Sequence, residues 1–395
     1  MTFLCLANYF KGTEFFQECS RLGCRTVLLI NEKLRGEPWP DCIDEIFNVH
    51  DLARPDELIR SVSYLARERV FDVIVPLDDY AVETAASLRE HLRCPGMGES
   101  TARYFRDKLA MRGGARDSGL LVPEFVHVLN HRRIHEFTQR VSPPWLIKPR
   151  SEAGSVQIKK FESAEELWPW IDQLGDRQSF HVLESYISGD VFHVDSIVFG
   201  SEIQFAAPHR YWRPPFNVWN EGGIFMSQSV HPADPLWEPL LEANRKAVLG
   251  MGLPYGVTHA EFIRGHQDGR LYFLEVAARC GGAHIDKLVM AQSGIQLWQE
   301  WARVEAARVT GRDYDLPPQH DRRSAGILLC LSRFENPDLG SFDAPEVFWK
   351  LSTGKHAGMV VASQDPARVQ ALMEDYCGRL TSGLLAVAPP SDKPA

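Results

Sequence analysis

The stretch Phe273-Leu-Glu-Val-Ala-Ala-Arg-Cys-Gly-Gly-Ala-His-Ile285 begins as an apolar strand and ends in a polar turn. Within a few residues it combines an acid, Glu275, a cation, Arg279, and the glycine pair Gly281 and Gly282. A strand can end with far simpler residues than these. The stretch therefore raises the question of which ligand needs an acid, an arginine and two glycines in one turn.

A second acidic strand lies immediately upstream. The stretch Ala260-Glu-Phe-Ile-Arg264 contains Glu261, and the turn His266-Gln-Asp-Gly269 joins it to the strand that contains Glu275. A hairpin with this turn can place both carboxylates side by side on one face. Two carboxylates at one site repel each other unless a cation or a proton lies between them, and hard oxygen ligands of this kind suit Mg²⁺. The alternative is a pair of exposed strand acids.

Two further stretches contain groups suited to a nucleotide. Lys148 ends the apolar strand Trp145-Leu-Ile-Lys148 and precedes the loop Pro149-Arg-Ser-Glu-Ala-Gly-Ser155, where a lysine and backbone amides can meet phosphates. Farther along, two strands meet at Gly189 and leave backbone groups that can read an adenine edge. Taken singly, these features are also typical of a solvated lysine and an ordinary hairpin.

Composition limits the class of protein. A chain of 395 residues is too long for one typical core and suggests about two or three packed units. The net charge of −9 argues against a nucleic-acid or anionic-membrane partner. No apolar run is long enough to span a bilayer, and the N-terminus lacks the basic start of a signal peptide. Eight cysteines without a Cys-x-x-Cys pair predict reduced thiols and a cytoplasmic protein, with a zinc site or disulfide at Cys19 and Cys24 as the alternative.

The first 95 residues or so alternate short apolar runs with helical stretches, which predicts a parallel sheet with right-handed crossovers. No Gly-x-Gly-x-x-Gly follows the first strand, so a dinucleotide site has no support there. The predicted strands are 3–7, 26–30 and 72–76, and the predicted helices are 13–22 and 55–69. Downstream we expect a helix at 103–120, a compact α+β stretch at 145–199, an aromatic and glycine-rich loop at 209–226, and strands after 324.

Taken in order, these stretches resemble the ATP-grasp superfamily of carboxylate–amine ligases. The matching features are Asp107-Lys108, Lys148 with its loop, Glu184-x-Tyr-Ile-x-Gly189, Glu261, and Glu275 with Arg279-x-Gly-Gly282. The resemblance covers residues 100–290 closely. It implies an ATP-grasp fold of α/β and α+β class, with an N-terminal parallel α/β domain, a small lid and a C-terminal ATP-grasp subdomain. The implied boundaries are 1–100 for the N-terminal domain, 101–200 for the first half with its lid at 145–199, 201–320 for the second half with the metal and substrate site, 321–385 for a C-terminal α+β segment, and 386–395 for a disordered tail.

The same resemblance implies roles for particular residues. Glu261 and Glu275 would bind Mg²⁺, with Mn²⁺ as the alternative ion, while Arg279 would meet the carboxylate substrate and its acyl phosphate. Gly281 and Gly282 would let that substrate approach the backbone. The residues implied to hold ATP are Lys108, Lys148, Ser151, Gly154, Ser155, Glu184, Tyr186, Ile187 and Asp190.

Two positions depart from the family pattern. An asparagine is usual two residues after the second metal acid, where this chain has Ala277. A ribose-binding acid is usual two residues after the glycine, where this chain has Val191, with Asp190 beside it. The first departure weakens a second metal site, and the second leaves the ribose to Asp190 or another group.

The loop His209-Arg-Tyr-Trp-Arg-Pro-Pro-Phe-Asn-Val-Trp-Asn-Glu-Gly-Gly223 is interpreted as a substrate pocket for an amino acid, with a packed structural loop as the alternative. The substrate candidates are His209, Arg210, Tyr211, Trp212, Glu221 and His284.

The resemblance implies an ATP-dependent ligase that joins small carboxylate and amine substrates, amino acids among them, in the biosynthesis of a small natural product. The resemblance is also compatible with assembly of the chain into a homodimer. A biotin-carboxylase-like enzyme and a nucleotide-binding protein without turnover are the alternatives.

Overall fold

A computed structural model describes residues 1–154, 156–319 and 323–387. The predicted ATP-binding residue Ser155 and most of the predicted tail, residues 388–395, lie outside these ranges. The described chain forms three sheets of four, four and eight strands. None of its helices combines the length and the apolar character that crossing a membrane requires.

The N-terminal region is a parallel sheet with helices on its faces. Its elements are β1 (Thr2–Ala7), α1 (Thr13–Arg21), β2 (Arg25–Asn31), β3 (Glu45–Val49), α2 (Pro55–Leu65), β4 (Val73–Pro76) and α3 (Val82–Leu92). The strand order is β3-β2-β1-β4, and every pair is parallel. The predicted parallel sheet is therefore confirmed, although β3 was missed. This edge strand is only partly buried and carries Glu45 and Asn48, so it lacks the apolar run of its neighbours.

A connecting segment and an antiparallel lid follow. They comprise α4 (Glu99–Ala102), α5 (Lys108–Asp117), β5 (Phe125–His127), α6 (His131–Arg140), β6 (Trp145–Pro149), β7 (Lys159–Phe161), α7 (Ala164–Leu174) and β8 (His181–Ser185). The lid strands pair in the order β5-β8-β6-β7. The helix predicted at 103–120 is shorter, because Asp107 caps a new helix by accepting a hydrogen bond from the Leu109 amide at 2.9 Å.

The rest of the chain builds one antiparallel sheet of eight strands. Its elements are β9 (Gly189–Phe199), β10 (Glu202–Tyr211), α8 (Pro215–Glu221), β11 (Phe225–Ser229), α9 (Trp237–Gly250), β12 (Tyr255–Gly265), β13 (Leu271–Ala277), α10 (Ile285–Ser293), α11 (Leu297–Thr310), β14 (Ser324–Leu331), β15 (Val347–Thr353), β16 (His356–Ser363) and α12 (Pro366–Gly383). The order is β13-β12-β9-β10-β11-β14-β16-β15. The predicted loop at 209–226 is wrong, since it holds the end of β10, all of α8 and the start of β11.

Candidate active site

The two hairpin carboxylates lie opposite each other. Glu261 on β12 pairs directly with Glu275 on β13, and a register irregularity follows Glu261. Residues opposite each other in an antiparallel pair share one face of the sheet. Both side chains line the same cavity, between the lid and the large sheet. The paired-acid geometry predicted from the turn is therefore present.

The cavity between the lid and the large sheet is lined by both charged and apolar side chains. One end contains Glu261, Glu275, Lys108 and Lys148. The other walls are apolar side chains from both sheets, namely Leu146, Val156, Ile158, Ile187, Val191, Ile263 and Leu274. An apolar slot with a few charged groups at one end suits a flat base with a charged tail.

Both predicted lysines reach this cavity, and each has an acidic partner. Lys108 Nζ lies 3.2 Å from Glu275 Oε2 and donates to the carbonyl of Glu152 at 2.5 Å. Lys148 Nζ lies 2.9 Å from Glu184 Oε2. The carboxylates thus hold both ammonium groups where phosphates would be bound.

Glu184 is fully buried and has a second cation, because Arg112 Nε lies 2.7 Å from its other oxygen. Burial alone would raise the pKa of Glu184, but Arg112 and Lys148 lower it to about 2. The side chain therefore positions Lys148, while the neighbouring backbone is what faces the cavity. Arg112 was missed, although its spacing of four from Lys108 on one helix places both cations on the same face.

The backbone amides after Glu184 differ in whether they are free to bind an adenine. The amide of Ser185 donates to the Glu124 carbonyl at 2.8 Å, and that of Tyr186 donates to the Pro144 carbonyl at 3.0 Å. Among the described residues the amide of Ile187 has no such partner, and Ser185, Tyr186 and Ile187 all line the cavity. Ile187 is therefore the position best placed to read a base edge.

These residues fit Mg²⁺ and ATP. Two carboxylates on one face supply hard oxygen ligands, and two lysines supply the charge that phosphates need. Ala277, which lies opposite His259 in the hairpin, has no side-chain oxygen that could bind a metal next to them. Val191 forms part of the apolar wall.

Arg279 lies in a smaller cavity that adjoins the first and shares Lys108, Glu152 and Glu275 with it. Its Nε and Nη2 donate to Asp79 Oδ2 at 2.8 and 2.5 Å, and its Nη1 donates to the Cys280 carbonyl at 2.8 Å. Burial alone would raise the pKa of Asp79, but Arg279 and Arg106 lower it to about 2. Asp79 was missed, because it lies two hundred positions away in the sequence.

Behind Glu261 and Glu275 lies a buried layer of polar groups on adjacent strands. Asp195 on β9 is hydrogen-bonded to His193 Nδ1 at 2.7 Å and to His259 Nδ1 at 2.9 Å, and His259 Nε2 lies 3.4 Å from Glu261. Burial alone would lower the pKa of His259, but Asp195 raises it to about 9. Through His259, this layer holds the carboxylate of Glu261 in position. The signal in the sequence is the alternation of polar residues at 193, 195, 259 and 261 within otherwise apolar strands.

Ser227 extends this layer, because its hydroxyl lies 2.8 Å from His193 Nε2. Hydroxyl, imidazole and carboxylate are therefore connected in the order of a hydrolase triad. Ser227, His193 and Asp195 are all fully buried, and the Ser227 hydroxyl also donates to the Arg210 carbonyl at 3.3 Å. The series is a support for the sheet, since a substrate has no access to it.

The interpretation of 209–223 as an amino-acid pocket does not fit the structure. His209 is fully buried and stacks on His193 at 4.7 Å, and the buried Tyr211 donates to Glu261 at 2.8 Å. Arg210 and Glu221 are exposed and form ion pairs with Asp190 and Arg213. Trp212 donates to Gln228 at 3.1 Å. The part of the segment that reaches the cavity between the lid and the large sheet is Pro214, Pro215, Phe216 and Asn217.

The ribose role for Asp190 also fails. Neighbouring residues of a strand point to opposite faces of the sheet, and Val191 faces the cavity between the lid and the large sheet. Asp190 instead lines a surface depression on the other side, 2.9 Å from Arg210. The sequence prediction overlooked this alternation.

The remaining candidates lie around the turn after β13 and in the loop after β6. A side chain at Gly281 would come within 3.0 Å of Asp195 and His259, so this glycine permits close packing on the buried layer. Gly282 is exposed and has open space around it. His284 is exposed, with its ring 4.8 Å from that of Trp349, and both Ala283 and His284 have left-handed backbones. Ser151 and Gly154 belong to the loop after β6, beside the cavity residue Glu152.

Comparison with solved structures identifies the class of fold. An L-amino acid ligase from Bacillus licheniformis superposes with a TM-score of 0.76 at 18% identity, covering 98% of each chain. An N5-carboxyaminoimidazole synthetase from Staphylococcus aureus, solved with ADP, gives 0.72 at 16% identity, covering 95% of this chain and 96% of that one. A biotin carboxylase from Campylobacter jejuni gives 0.71 at 14% identity, covering 97% and 91%. The chain has the ATP-grasp fold, which confirms the fold and the resemblance expected from the sequence.

At the level of sequence, the chain is similar to an L-arginine-specific L-amino acid ligase from Bacillus subtilis. The two are 26% identical over 278 residues, a match that covers 68% of this chain and 65% of that relative. The match thus spans just under two-thirds of the relative's length. No protein-family model matches the chain.

Proposed function

We propose that the chain is an ATP-dependent carboxylate–amine ligase that joins amino acids through an acyl phosphate and releases ADP and phosphate. The observation that carries the proposal is that Glu261, Glu275, Lys108 and Lys148 all line one cavity between the lid and the large sheet. The related L-amino acid ligase and the ATP-grasp fold support the same class of reaction.

In the first step, a carboxylate oxygen of the acid substrate attacks the γ-phosphorus of ATP. A bond forms between that oxygen and phosphorus, and the bond to the bridging oxygen of ADP breaks. Lys108 and Lys148 offset the phosphate charges, and their acidic partners hold them in place before ATP arrives. Mg²⁺, when bound by Glu261 and Glu275, would supply further positive charge to the phosphates.

In the second step, the nitrogen of the amine substrate attacks the acyl carbon. The bond from that carbon to the phosphate oxygen breaks, phosphate leaves, and the nitrogen loses a proton. Arg279 borders the cavity that contains Glu275, and Asp79 holds its guanidinium in place, so it would meet the acyl phosphate without first being ordered.

An acyl phosphate must be kept from water, which would hydrolyse it. The lid sheet covers one wall of the nucleotide cavity through Leu146, Val156 and Ile158. Pro214 to Asn217 also line this cavity. Closure of these segments would exclude water during the reaction.

Amino acids are the proposed substrates for both the acid and the amine, as in an L-amino acid ligase. A role in the biosynthesis of a small natural product and a homodimeric assembly remain predictions. The eight cysteines are unpaired, which supports a cytoplasmic location.

The test is release of phosphate from Mg·ATP with the proteinogenic L-amino acids supplied in pairs. We expect release to depend on particular amino acids, with an amide as the accompanying product. A parallel reaction with hydroxylamine in place of the amine should yield the hydroxamate of the acid substrate. Release driven by bicarbonate and biotin would indicate a carboxylase instead, and release with neither set of substrates would contradict the proposal.

A further inference from the structure

Arg106 is a buried cation just before α5. It follows the short helical turn Arg103–Phe105 and lies two positions before Lys108, the first residue of α5. Only 7% of its surface is exposed, and its guanidinium lies over the ring of Tyr80, 4.6 Å from the ring centre. Among the described residues this guanidinium forms neither a hydrogen bond nor an ion pair. Its N–H donors therefore have no acceptor from the described chain.

The other two arginines that are buried in the described chain do have acceptors. Arg89 donates to the carbonyl of Met97 at 3.1 Å, and Arg112 Nε lies 2.7 Å from the carboxylate of Glu184. A buried charge without a partner is costly to keep unless a ligand supplies the opposite charge. Arg106 therefore differs from the arginines that support the fold, and its free donors indicate a site for an anion.

The position of this site follows from the two adjoining cavities. Arg106 lines the smaller one, together with Arg279. The residues that line both cavities are Lys108, Glu152 and Glu275, while Arg106 belongs to the smaller cavity alone. In the proposed reaction the γ-phosphate lies where the two cavities meet, at Lys108 and Glu275. A ligand of Arg106 would thus lie beyond the γ-phosphate, on the side away from ADP.

The reactant on that side is the acid substrate, because its carboxylate attacks phosphorus roughly in line with the leaving ADP. Arg279 borders the same space, but its Nε and Nη2 donate to Asp79 and its Nη1 donates to the Cys280 carbonyl. All three nitrogens of that guanidinium are engaged, whereas those of Arg106 are not. A planar guanidinium can bind both oxygens of a carboxylate. Arg106 is therefore the group that is free to hold the acid.

The carboxylates of the protein do not compete for this role. Each of the three that line the smaller cavity has a donor other than Arg106, namely Arg279 for Asp79, Tyr80 for Glu152 and Lys108 for Glu275. The bond from Tyr80 to Glu152, 3.0 Å long, also fixes the ring on which Arg106 lies. The guanidinium is thus held in place by its packing, while its hydrogen-bonding capacity is left for a ligand.

We propose that Arg106 binds the reacting carboxylate of the acid substrate and presents it to the γ-phosphate of ATP. This assignment rests on the proposed ligase function and adds a second arginine to the substrate side, where Arg279 would meet the acyl phosphate. Arg106 forms no covalent bond in either step. It orients the attacking oxygen and offsets the charge that the carboxylate brings beside the phosphates.

The test varies the acid substrate alone. Hydroxylamine at a fixed saturating concentration replaces the amine, and the acid is the L-amino acid from which the wild type forms the most hydroxamate. Hydroxamate formation gives kcat/KM for the acid, and calorimetry gives the Kd for Mg·ATP. The proteins are the wild type, Arg106→Met, Arg106→Lys and Arg103→Met. Arg103 is the matched control, because it lies three positions away in the same segment but is exposed.

We expect Arg106→Met to lower kcat/KM for the acid by about tenfold to a hundredfold, the range of a hydrogen-bonded charge pair. The Kd for Mg·ATP should stay close to that of the wild type, which also shows that the variant is folded. Arg106→Lys should lose less, because an ammonium keeps the charge but cannot bind both carboxylate oxygens in one plane. Arg103→Met should behave like the wild type.

Other outcomes would overturn the assignment. A wild-type kcat/KM for the acid in Arg106→Met would show that Arg106 does not bind the carboxylate. If Arg106→Met does not fold, the same result in Arg106→Lys would show it. A Kd for Mg·ATP that rises as much as the use of the acid falls would assign Arg106 to the nucleotide.

An equal loss in Arg103→Met would mean that the effect is not particular to Arg106, which would also overturn the assignment. In each of these cases hydroxamate formed by the wild type leaves the ligase function intact. A wild type that forms no hydroxamate and releases no phosphate with any pair of amino acids would refute that function and the assignment together.

Discussion

The two ends of the reaction cleft are charged in different ways. At the end where we propose that the phosphates of ATP bind, called the phosphate end, Lys148 forms an ion pair with Glu184 and Lys108 forms one with Glu275. At the opposite end Arg279 is matched by Asp79, whereas Lys11 and Arg106 form no ion pair among the described residues. Cations that are matched before ligands bind are held in fixed orientations, which favours catalysis. An unmatched cation indicates where a ligand must bring its own negative charge.

The two ends also differ in construction. The phosphate end stands on strands and a helix start within residues 108–275, where the proposed metal ligands Glu261 and Glu275 face each other across one hairpin. The opposite end joins the segment after β4 to the turn after β13 through Asp79 and Arg279. Rigid strands fix distances closely, while loops that follow different sheets can move apart. We therefore expect substitutions at the phosphate end to affect every reaction of the enzyme, and those at the other end to affect particular substrates.

The largest expected effect is on stability and concerns Glu184. Its lowered pKa means that its stabilising contribution is present above its ordinary value near 4.5 and is lost as the pH falls through about 2. Glu184→Gln should lower the free energy of unfolding at pH 7 by about 3 kcal/mol, since Arg112 and Lys148 would stay buried without their carboxylate. Urea unfolding at pH 7 measures this change.

The control for this variant is Glu124→Gln, since Glu124 forms an ion pair with Arg140 but both side chains are exposed. It should change the stability by less than about 1 kcal/mol. Equal effects of the two substitutions would mean that Glu184 does not hold the phosphate end together.

The next effect concerns the metal acids. Glu275→Gln should lower turnover by about a hundredfold while leaving the fold intact, because a neutral ligand weakens Mg²⁺ binding and leaves phosphate charge uncompensated. Amide and hydroxamate formation should fall together. Glu202→Gln, on an exposed strand position of the same sheet, is the control. Normal activity at ordinary Mg²⁺ would remove Glu275 from the metal site.

At the opposite end, Arg279→Ala should reduce hydroxamate formation by roughly thirtyfold through loss of a charged contact to the acyl phosphate. The affinity for ATP, measured by calorimetry in the presence of Mg²⁺, should be retained. Arg312→Ala, an exposed position, serves as the control. A parallel loss of ATP binding would assign Arg279 to the nucleotide and would remove the distinction between the two ends.

The smallest effect concerns Lys148. Lys148→Ala should raise the KM for ATP by about tenfold and leave the KM values for the amino acids nearly unchanged, because the lysine faces the phosphates. Lys159→Ala provides the comparison, since Lys159 is an exposed lysine of the same lid. An ATP requirement equal to that of the wild type would make Lys148 an ordinary strand-end lysine.

The grouping of Glu261, Glu275 and Lys148 around one cavity was predictable in part, because these residues lie in short windows of sequence. A hairpin turn fixes the register of Glu261 and Glu275, and a strand end fixes Lys148 beside its loop. Reasoning from neighbouring residues did not place Asp190 correctly. Val191, the next residue of the strand, faces the cavity, while Asp190 faces a depression on the other side of the sheet.

The rest depends on contacts that local patterns do not encode. Asp79 and Arg279 meet only when the N-terminal sheet packs against the turn after β13, two hundred positions away. The aromatic residues at 209–212 looked like a loop, but the strand pairing of β10 with β9 turns His209 into the core. Tertiary pairing decided both cases, and sequence periodicity over a few residues could not predict it.

The central claim is that the acid substrate passes through an acyl phosphate. It is tested most directly with an amino-acid substrate whose carboxylate is labelled with ¹⁸O. One carboxylate oxygen should appear in the released phosphate at each turnover, because the bond that breaks in the second step joins the acyl carbon to that oxygen. Phosphate that carries no label while labelled amide accumulates would contradict the acyl phosphate, and with it the proposed ligase mechanism.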